Sequence, residues 1–210
     1  MYWKRADGTG PVERLLLNDG GVGPYLVTPD GRTVVYIRTL VTGNARSRPF
    51  FGLSLDEPHT ERQLALTTGP VAAISPDGRW LANSSDETGN FEVYVQPYPN
   101  PDGARWKITS GGGRDPVWSR NGRELFYQNE TTMFATAVTT DPTFAFAPPV
   151  ALFDGPYVDS LGRWYDVAPD GRFLMIKPGW LSTGREVPLN VVLNWFEELK
   201  QRVPIGRSHP

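Results

Sequence analysis

The chain contains no cysteine. Disulfides, thiolate metal sites and a cysteine nucleophile are thereby excluded. Histidine is nearly as scarce, with only His59 and His209. A Ser-His-Asp triad has only His59 to draw on, because His209 stands next to the C-terminus. His59 lies in the turn-like segment Asp56-Glu57-Pro58-His59, and no Gly-x-Ser-x-Gly elbow is present. There is no apolar run approaching the ~20 residues that span a bilayer. The first residues, MYWKRADGTGPVERLLL, carry a positive pair with no apolar core behind it, which is not a secretory signal. The expected compartment is the cytoplasm for the chain as written, and outside it for a membrane-anchored or secreted parent. Charge is balanced as well: 21 basic against 23 acidic residues, a formal net charge of −2. That argues against a nucleic-acid partner held by electrostatics.

Glycine and proline are plentiful, 22 and 20 among 210 residues. Such a share suits many short strands joined by turns rather than helices. The apolar fraction of 39% and charged fraction of 21% belong to a folding chain rather than a disordered one.

One turn is written four times. VTPDGRTVV begins at Val27, ISPDGRWLA at Ile74, WSRNGRELF at Trp118 and VAPDGRFLM at Val167. The turn glycines Gly31, Gly78, Gly122 and Gly171 recur at intervals of about 45 residues, a period found in propeller blades. In Ser75-Pro76-Asp77-Gly78, serine suits the first position of a type I turn, proline presets the second and aspartate suits the third. Glycine then takes the left-handed fourth. The result is a bulged hairpin loop joining two antiparallel strands.

The strands before the turns are read as 25–28, 72–75, 116–119 and 165–168. Those after it contain Val34-Val35-Tyr36, Leu81-Ala82-Asn83, Leu125-Phe126-Tyr127 and Leu174-Met175-Ile176. These runs do not alternate cleanly, so both faces are expected to be covered. Third strands are expected at 51–55, 92–96, 134–139 and 189–194, and fourth strands at 61–64, 105–108 and 149–153. The N-terminus supplies a third-type strand at 2–4 and a fourth-type strand at 13–16. Four short strands per repeat make a propeller blade.

The expected fold is therefore all-β: a propeller of four-stranded antiparallel blades, about four to five in number, as one domain over 1–210. A partial blade occupies 1–20. Blades follow at about 21–67, 68–110 and 111–155, then a last blade at 156–194. One short helix is expected at 195–203, capped by Asn194 with Glu197 and stopped by Pro204. The strand count is not a multiple of four, and the chain starts inside a blade. An incomplete ring is the expectation, with strand edges that self-associate when the chain is alone.

The Ser-Pro-Asp-Gly turn, the apolar strand behind it and a strand such as Phe91-Glu92-Val93-Tyr94-Val95 together resemble the TolB-like β-propeller repeat. The resemblance covers nearly the whole chain. The ending Leu189-Asn190-Val191-Val192-Leu193-Asn194-Trp195-Phe196-Glu197-Glu198-Leu199 is similar to that of propellers attached to bacterial serine/threonine kinases. This likeness implies the C-terminal part of a sensor, with upstream domains in a longer parent. Kinase activity itself does not carry over, because no glycine-rich phosphate loop, His-Arg-Asp or Asp-Phe-Gly motif is present. A non-catalytic interaction or ligand-sensing module is expected, without cofactor or metal. The competing readings are a propeller gating a prolyl-oligopeptidase-family hydrolase and a TolB-like periplasmic interaction protein.

Innermost strands line a propeller's channel, so candidate binding residues are sought there. Eight positions before the turn glycines stand Gly23, Pro70, Arg114 and Arg163, followed in the last two repeats by Asp115 and Trp164. Five positions before them, Leu26, Ala73 and Val117 are matched by Asp166, which breaks the apolar rule of the repeat. Arg114, Asp115, Arg163, Trp164 and Asp166 are the candidate channel-mouth site for a protein or small ligand. Arg32, Arg79, Arg123 and Arg172 read as solvated charges at strand starts. Gly111-Gly112-Gly113-Arg114 reads as an inter-blade linker, because Pro116 and a strand follow where a phosphate loop needs a helix. Asp86-Glu87-Thr88-Gly89-Asn90 reads as a hairpin loop, lacking the spacing of a calcium loop. The sequons at Asn83 and Asn129 read as chance matches.

Overall fold

Proline and glycine punctuation leaves only short segments free to pair, and the structure consists of such segments. The computed structural model describes residues 1–16, 21–42, 45–47, 49–65, 71–100, 103–158 and 163–177. Among them there are strands and no helix. β1 (Tyr2–Trp3) and β2 (Glu13–Arg14) pair with each other. β3 (Val22–Val27) and β4 (Thr33–Arg38) open the first sheet. β5 (Leu40–Thr42) and β6 (Ala45–Ser47) form a separate hairpin. β7 (Phe50–Ser54) and β8 (Glu61–Ala65) then complete the order β3-β4-β7-β8.

The second sheet comprises β9 (Ala72–Ile74), β10 (Trp80–Ser85), β11 (Glu92–Pro97) and β12 (Trp106–Lys107), in that order. Into the third go β13 (Arg114–Trp118), β14 (Glu124–Asn129) and β15 (Thr132–Thr139). Its outer strand β15 pairs with both β16 (Ala145–Phe146) and β17 (Val150–Asp154). A last antiparallel pair is β18 (Tyr165–Val167) with β19 (Phe173–Met175). All of these strands belong to one unit, Met1–Lys177. The expected third strand at 189–194 and the helix at 195–203 lie outside the described residues.

Each recurring turn has the expected backbone. Gly31, Gly78, Gly122 and Gly171 sit at φ 72°, 71°, 69° and 83°. Their N–H groups donate to the carbonyls of Thr28, Ser75, Ser119 and Ala168. Side-chain hydroxyls reinforce three of the four, and in the fourth Asp170 still accepts the Arg172 N–H at 3.2 Å. The Thr28, Ser75 and Ser119 hydroxyls accept the N–H of Thr33, Trp80 and Glu124 at 3.1, 3.0 and 2.9 Å. Each hydroxyl also donates to the side-chain oxygen of Asp30, Asp77 or Asn121. That oxygen accepts a further N–H, from Arg32, Arg79 or Arg123. Thus the side chains at the first and third turn positions tie the loop to the start of the next strand. Alanine at 168 removes the hydroxyl from the fourth copy. Ser75 is fully buried, so Ser75→Ala strands the Trp80 N–H and lowers stability by about 1–2 kcal/mol. Urea unfolding measures this, and an unchanged midpoint contradicts it.

Packing explains why the second strands read as unbroken apolar runs. Along β14, Leu125 and Tyr127 join Trp80, Ala82, Val93 and Val95 of the second sheet. Phe126, between them, points the other way and joins Tyr165 and Val167 of β18. Along β10, Leu81 packs with Val35 and Phe50 of the first sheet, while Trp80 and Ala82 face the third. Period-2 alternation persists, but both faces meet a neighbouring sheet, so both are apolar.

Hydrogen bonds between sheets help to fix the stacking. The Trp118 indole donates to the Ala73 carbonyl at 3.1 Å, the Gln96 amide to the Leu64 carbonyl at 3.0 Å, and the Trp80 indole to the Thr140 carbonyl at 3.3 Å. Among the described residues no four-stranded sheet stands before β3 or after β19, and these strands form an incomplete ring. Val27 and Leu174 are correspondingly exposed, at 55% and 73%.

Candidate functional site

An antiparallel meander sends its connections to two opposite ends. The recurring turns, such as 75–78, and the outer connections, such as 140–144, lie at one end. At the other lie the β10–β11 loop, the β14–β15 hairpin and the starts of the inner strands β9, β13 and β18. Arg114 begins β13 and Arg163 stands two residues ahead of β18, so both belong to this second end. Arg32, Arg79, Arg123 and Arg172 belong to the first. Of these, Arg32 pairs with Asp56 at 2.8 Å, Arg79 with Asp141 at 3.0 Å and Arg172 with Asp170 at 2.7 Å.

The inner strand of the third sheet is bulged. Arg114 pairs with Gln128 and Val117 with Phe126, with a register shift between them. Asp115 fills the bulge at φ 55° and is 3% exposed. A bulge re-aims the groups beside it. Here the Asp115 N–H donates to Ser84 Oγ of the second sheet at 3.1 Å, and its carbonyl accepts the Tyr165 hydroxyl at 2.7 Å. One residue thereby ties three successive sheets together. The first sheet's inner strand shifts register at the comparable place, between Pro24 and Leu26.

Tyr25 is a member of this group that the sequence reading missed. Burial pushes its phenol well above the usual range; the Asp115 carboxylate adds to the effect and the Arg163 guanidinium opposes it. The same two charges act on Tyr165, whose phenol is raised chiefly by complete burial. Residues of the first, third and last inner strands therefore share one electrostatic neighbourhood. The signal for Tyr25 was available: Tyr25 and Tyr165 occupy the same position relative to their turn glycines.

Arg163 donates to the Tyr165 carbonyl at 3.3 Å and to Asp166. Asp166 also accepts its neighbour's N–H, from Val167, at 2.8 Å. About half of each side chain of the Arg163–Asp166 pair is exposed, so the pair is worth at most about 1 kcal/mol. Trp164 Nε1 is buried without a hydrogen-bond partner among the described residues. Asp166 and Asp115 face different surroundings: Val117, in register with Asp166, packs onto the β18–β19 pair, and among the described residues no four-stranded sheet stands in that direction from Asp166. The structure thus brings Arg163 to Asp166 and Asp115 to Tyr165, and it places Arg114 at the neighbouring loops.

Other sequence candidates resolve into local structure. His59 Nδ1 lies 3.0 Å from the Ser54 carbonyl oxygen, and Nε2 lies 3.2 Å from Glu57. Asn83 of the first sequon is fully buried, and Asn129 of the second donates to the Gly111 carbonyl at 3.0 Å. Among the described residues no group of three or more acidic or histidine side chains could hold a metal ion. In the glycine stretch, the Gly113 N–H donates to the Phe91 carbonyl at 2.8 Å and the Gly112 N–H to Glu92 at 3.2 Å. Those amides are turned onto the protein itself, as befits a packed linker.

Glu92 is the buried carboxylate that holds this linker. Burial alone would raise its carboxyl, but the Thr109 hydroxyl, the Lys107 ammonium at 3.1 Å and the Gly112 N–H outweigh it and hold it below the ordinary value. A carboxyl lowered by folding stabilises above its unfolded pKa, about 4.3, and that contribution is lost as pH falls through the folded value. Glu92→Gln is therefore expected to cost about 1–2 kcal/mol at neutral pH, with the deficit shrinking in acid. Thermal melts of both proteins across that range check it, and a deficit independent of pH contradicts it.

The stacked four-stranded antiparallel sheets can be compared with known folds. The structure aligns with TolB from Acinetobacter baumannii at a TM-score of 0.55 and 13% identity, over 81% of this chain and 41% of that one. The fold is a TolB-like β-propeller. The propeller spans about two fifths of that TolB structure. The β-propeller domain of the Trilobed protease from Pyrococcus furiosus aligns at a TM-score of 0.47 and 15% identity, over 74% of this chain and 57% of that one. Pyrococcus horikoshii acylaminoacyl peptidase gives 0.43 and 14%, over 74% and 32%. No family model matches the propeller's sequence, and no curated protein matches it.

Proposed function

We propose that this propeller is a non-catalytic binding module, the interaction or ligand-sensing part of a larger bacterial sensor such as a receptor-type serine/threonine kinase. The observation that carries the binding role is the collection of unlike polar groups at the starts of β13 and β18. Arg163 and Asp166 are exposed there, and Trp164 Nε1 is buried without a partner among the described residues. Unsatisfied buried donors are rare in folded proteins and call for an explanation, such as a bound acceptor. The recurring arginines at the opposite end are mostly spent on neighbouring carboxylates. Absence of kinase and hydrolase motifs from the sequence supports the non-catalytic part, and the likeness of residues 189–199 to kinase-attached propellers supports the larger sensor.

A photo-crosslinking amino acid placed at Arg163, and separately at Arg32, tests the reading in bacteria producing the natural full-length protein. A discrete crosslinked product from position 163, and none from position 32, is the expected result. Products from position 32 alone put the binding face at the wrong end of the blades.

A further inference from the structure

Beside the channel set lies a cleft of about 350 Å³ between the second and third sheets. The β10–β11 loop, the glycine linker and the β14–β15 hairpin form its walls. Asp86, Asn90, Phe91, Arg114, Asn129 and Glu130 line it, together with the backbone of Gly111, Gly112 and Gly113. We propose that this cleft is a binding site for a neutral saccharide, one or two sugar rings long.

Three observations carry the proposal. The volume lies in the range of small-molecule sites. Secondly, the lining mixes charges of both signs with amides and one aromatic ring. Asp86, Glu130 and Arg114 put both signs of charge side by side, so the cleft is not a site of one sign for a simple anion or cation. A neutral polyol carries no charge to be matched, and each of its hydroxyls can donate to a carboxylate or accept from an amide or guanidinium. Phe91 adds an aromatic side chain to the lining, with the Arg114 guanidinium over its ring at 5.9 Å from the centroid.

The third observation is strain. Asp115 and Glu130 are the non-glycine residues at positive φ among the described residues, at 55° and 52°. Glu130 lines the cleft and Asp115 follows directly on Arg114. Left-handed backbone disfavours side chains other than glycine, and such strain gathers at functional sites. At every other positive φ on the described chain the residue is glycine. Glu130 thus stands at the cleft on a backbone conformation that its side chain does not favour.

Gly111 supplies a clean block. Its φ is not left-handed, and a Cβ built there meets nothing within 4 Å. Nitrogen-15-labelled full chain is titrated with cellobiose, maltose and chitobiose, and with diglycine as a zwitterionic control. At least one sugar is expected to give saturable shifts at the amides of Asn90, Gly111, Gly113 and Glu130. Gly111→Phe should then weaken it at least about tenfold at an unchanged melting temperature. Glu130→Gly keeps the test open whatever Gly111→Phe does to folding: it should melt higher, by relief of strain, and also bind at least about tenfold more weakly. The proposal is overturned by an absence of saturable shifts from all three sugars, by diglycine binding more tightly than any of them, or by undiminished sugar binding in Glu130→Gly.

Discussion

Replacing Phe144 by alanine is expected to lower stability by about 3–5 kcal/mol, a large part of what a domain of this kind possesses. Phe144 lies between β15 and β16, outside any strand, yet it is only 4% exposed. Its ring centroid stands 5.2 Å from that of Trp106, 5.3 Å from Trp80, 6.3 Å from Trp118 and 6.2 Å from Phe146. Trp80 and Trp106 come from the second sheet, Trp118 and Phe146 from the third. Truncation therefore empties the joint between two blades, and no single neighbour can move to fill it. Denaturant unfolding followed by tryptophan fluorescence measures the loss directly. A change below about 1 kcal/mol would show that the joint is not packed as described.

The second large effect is expected from Gly112→Val, at about 2–4 kcal/mol. Two costs act together. Gly112 sits at φ 104°, where a β-branched residue is strained, and its Cβ would lie 2.5 Å from Asn129 Oδ1. Asn129 cannot swing aside freely, because its amide donates to the Gly111 carbonyl. Gly78→Val separates the two costs. Its φ of 71° is also left-handed, but a Cβ there meets nothing within 4 Å, so only strain remains, about 1 kcal/mol. Equal melting points for the two variants would mean that the linker at 112 is looser than the structure has it.

What could be read from the sequence was whatever a few adjacent residues decide. A left-handed glycine behind Pro-Asp or Arg-Asn is a local matter, and all four turns have the expected φ. Strands flanking a turn follow from it, so β3 with β4, β9 with β10, β13 with β14 and β18 with β19 were all legible. The absence of clean alternation also spoke correctly, since Phe126 and its neighbours Leu125 and Tyr127 face two different sheets. Phe144 was silent because it occupies no strand position of the repeat. Its partners come from β10, β12, β13 and β16, and only the stacking of blades gathers them.

The candidate site was legible in part for the same reason. Register from the turn glycine found Arg114 and Arg163 at the starts of inner strands. It could not find the bulge at Asp115, whose backbone is fixed from outside by Ser84 and Tyr165. Nor could it give the setting of Asp166. Its apolar counterparts Leu26, Ala73 and Val117 pack in hydrophobic clusters, whereas Asp166 meets Arg163 and solvent. A broken repeat rule marks a changed environment, and only the structure tells whether a ligand or an open edge changed it.

The central claim is that the recurring unit is a blade whose alternate residues face its two neighbours. A nuclear Overhauser spectrum of the full chain tests this most directly. The account predicts cross-peaks from the Phe144 ring protons to the indoles of Trp80, Trp106 and Trp118 at once, and from the Trp118 indole to Ala73. Intact cross-strand peaks within each hairpin, with none of these between the second and third sheets, would contradict it.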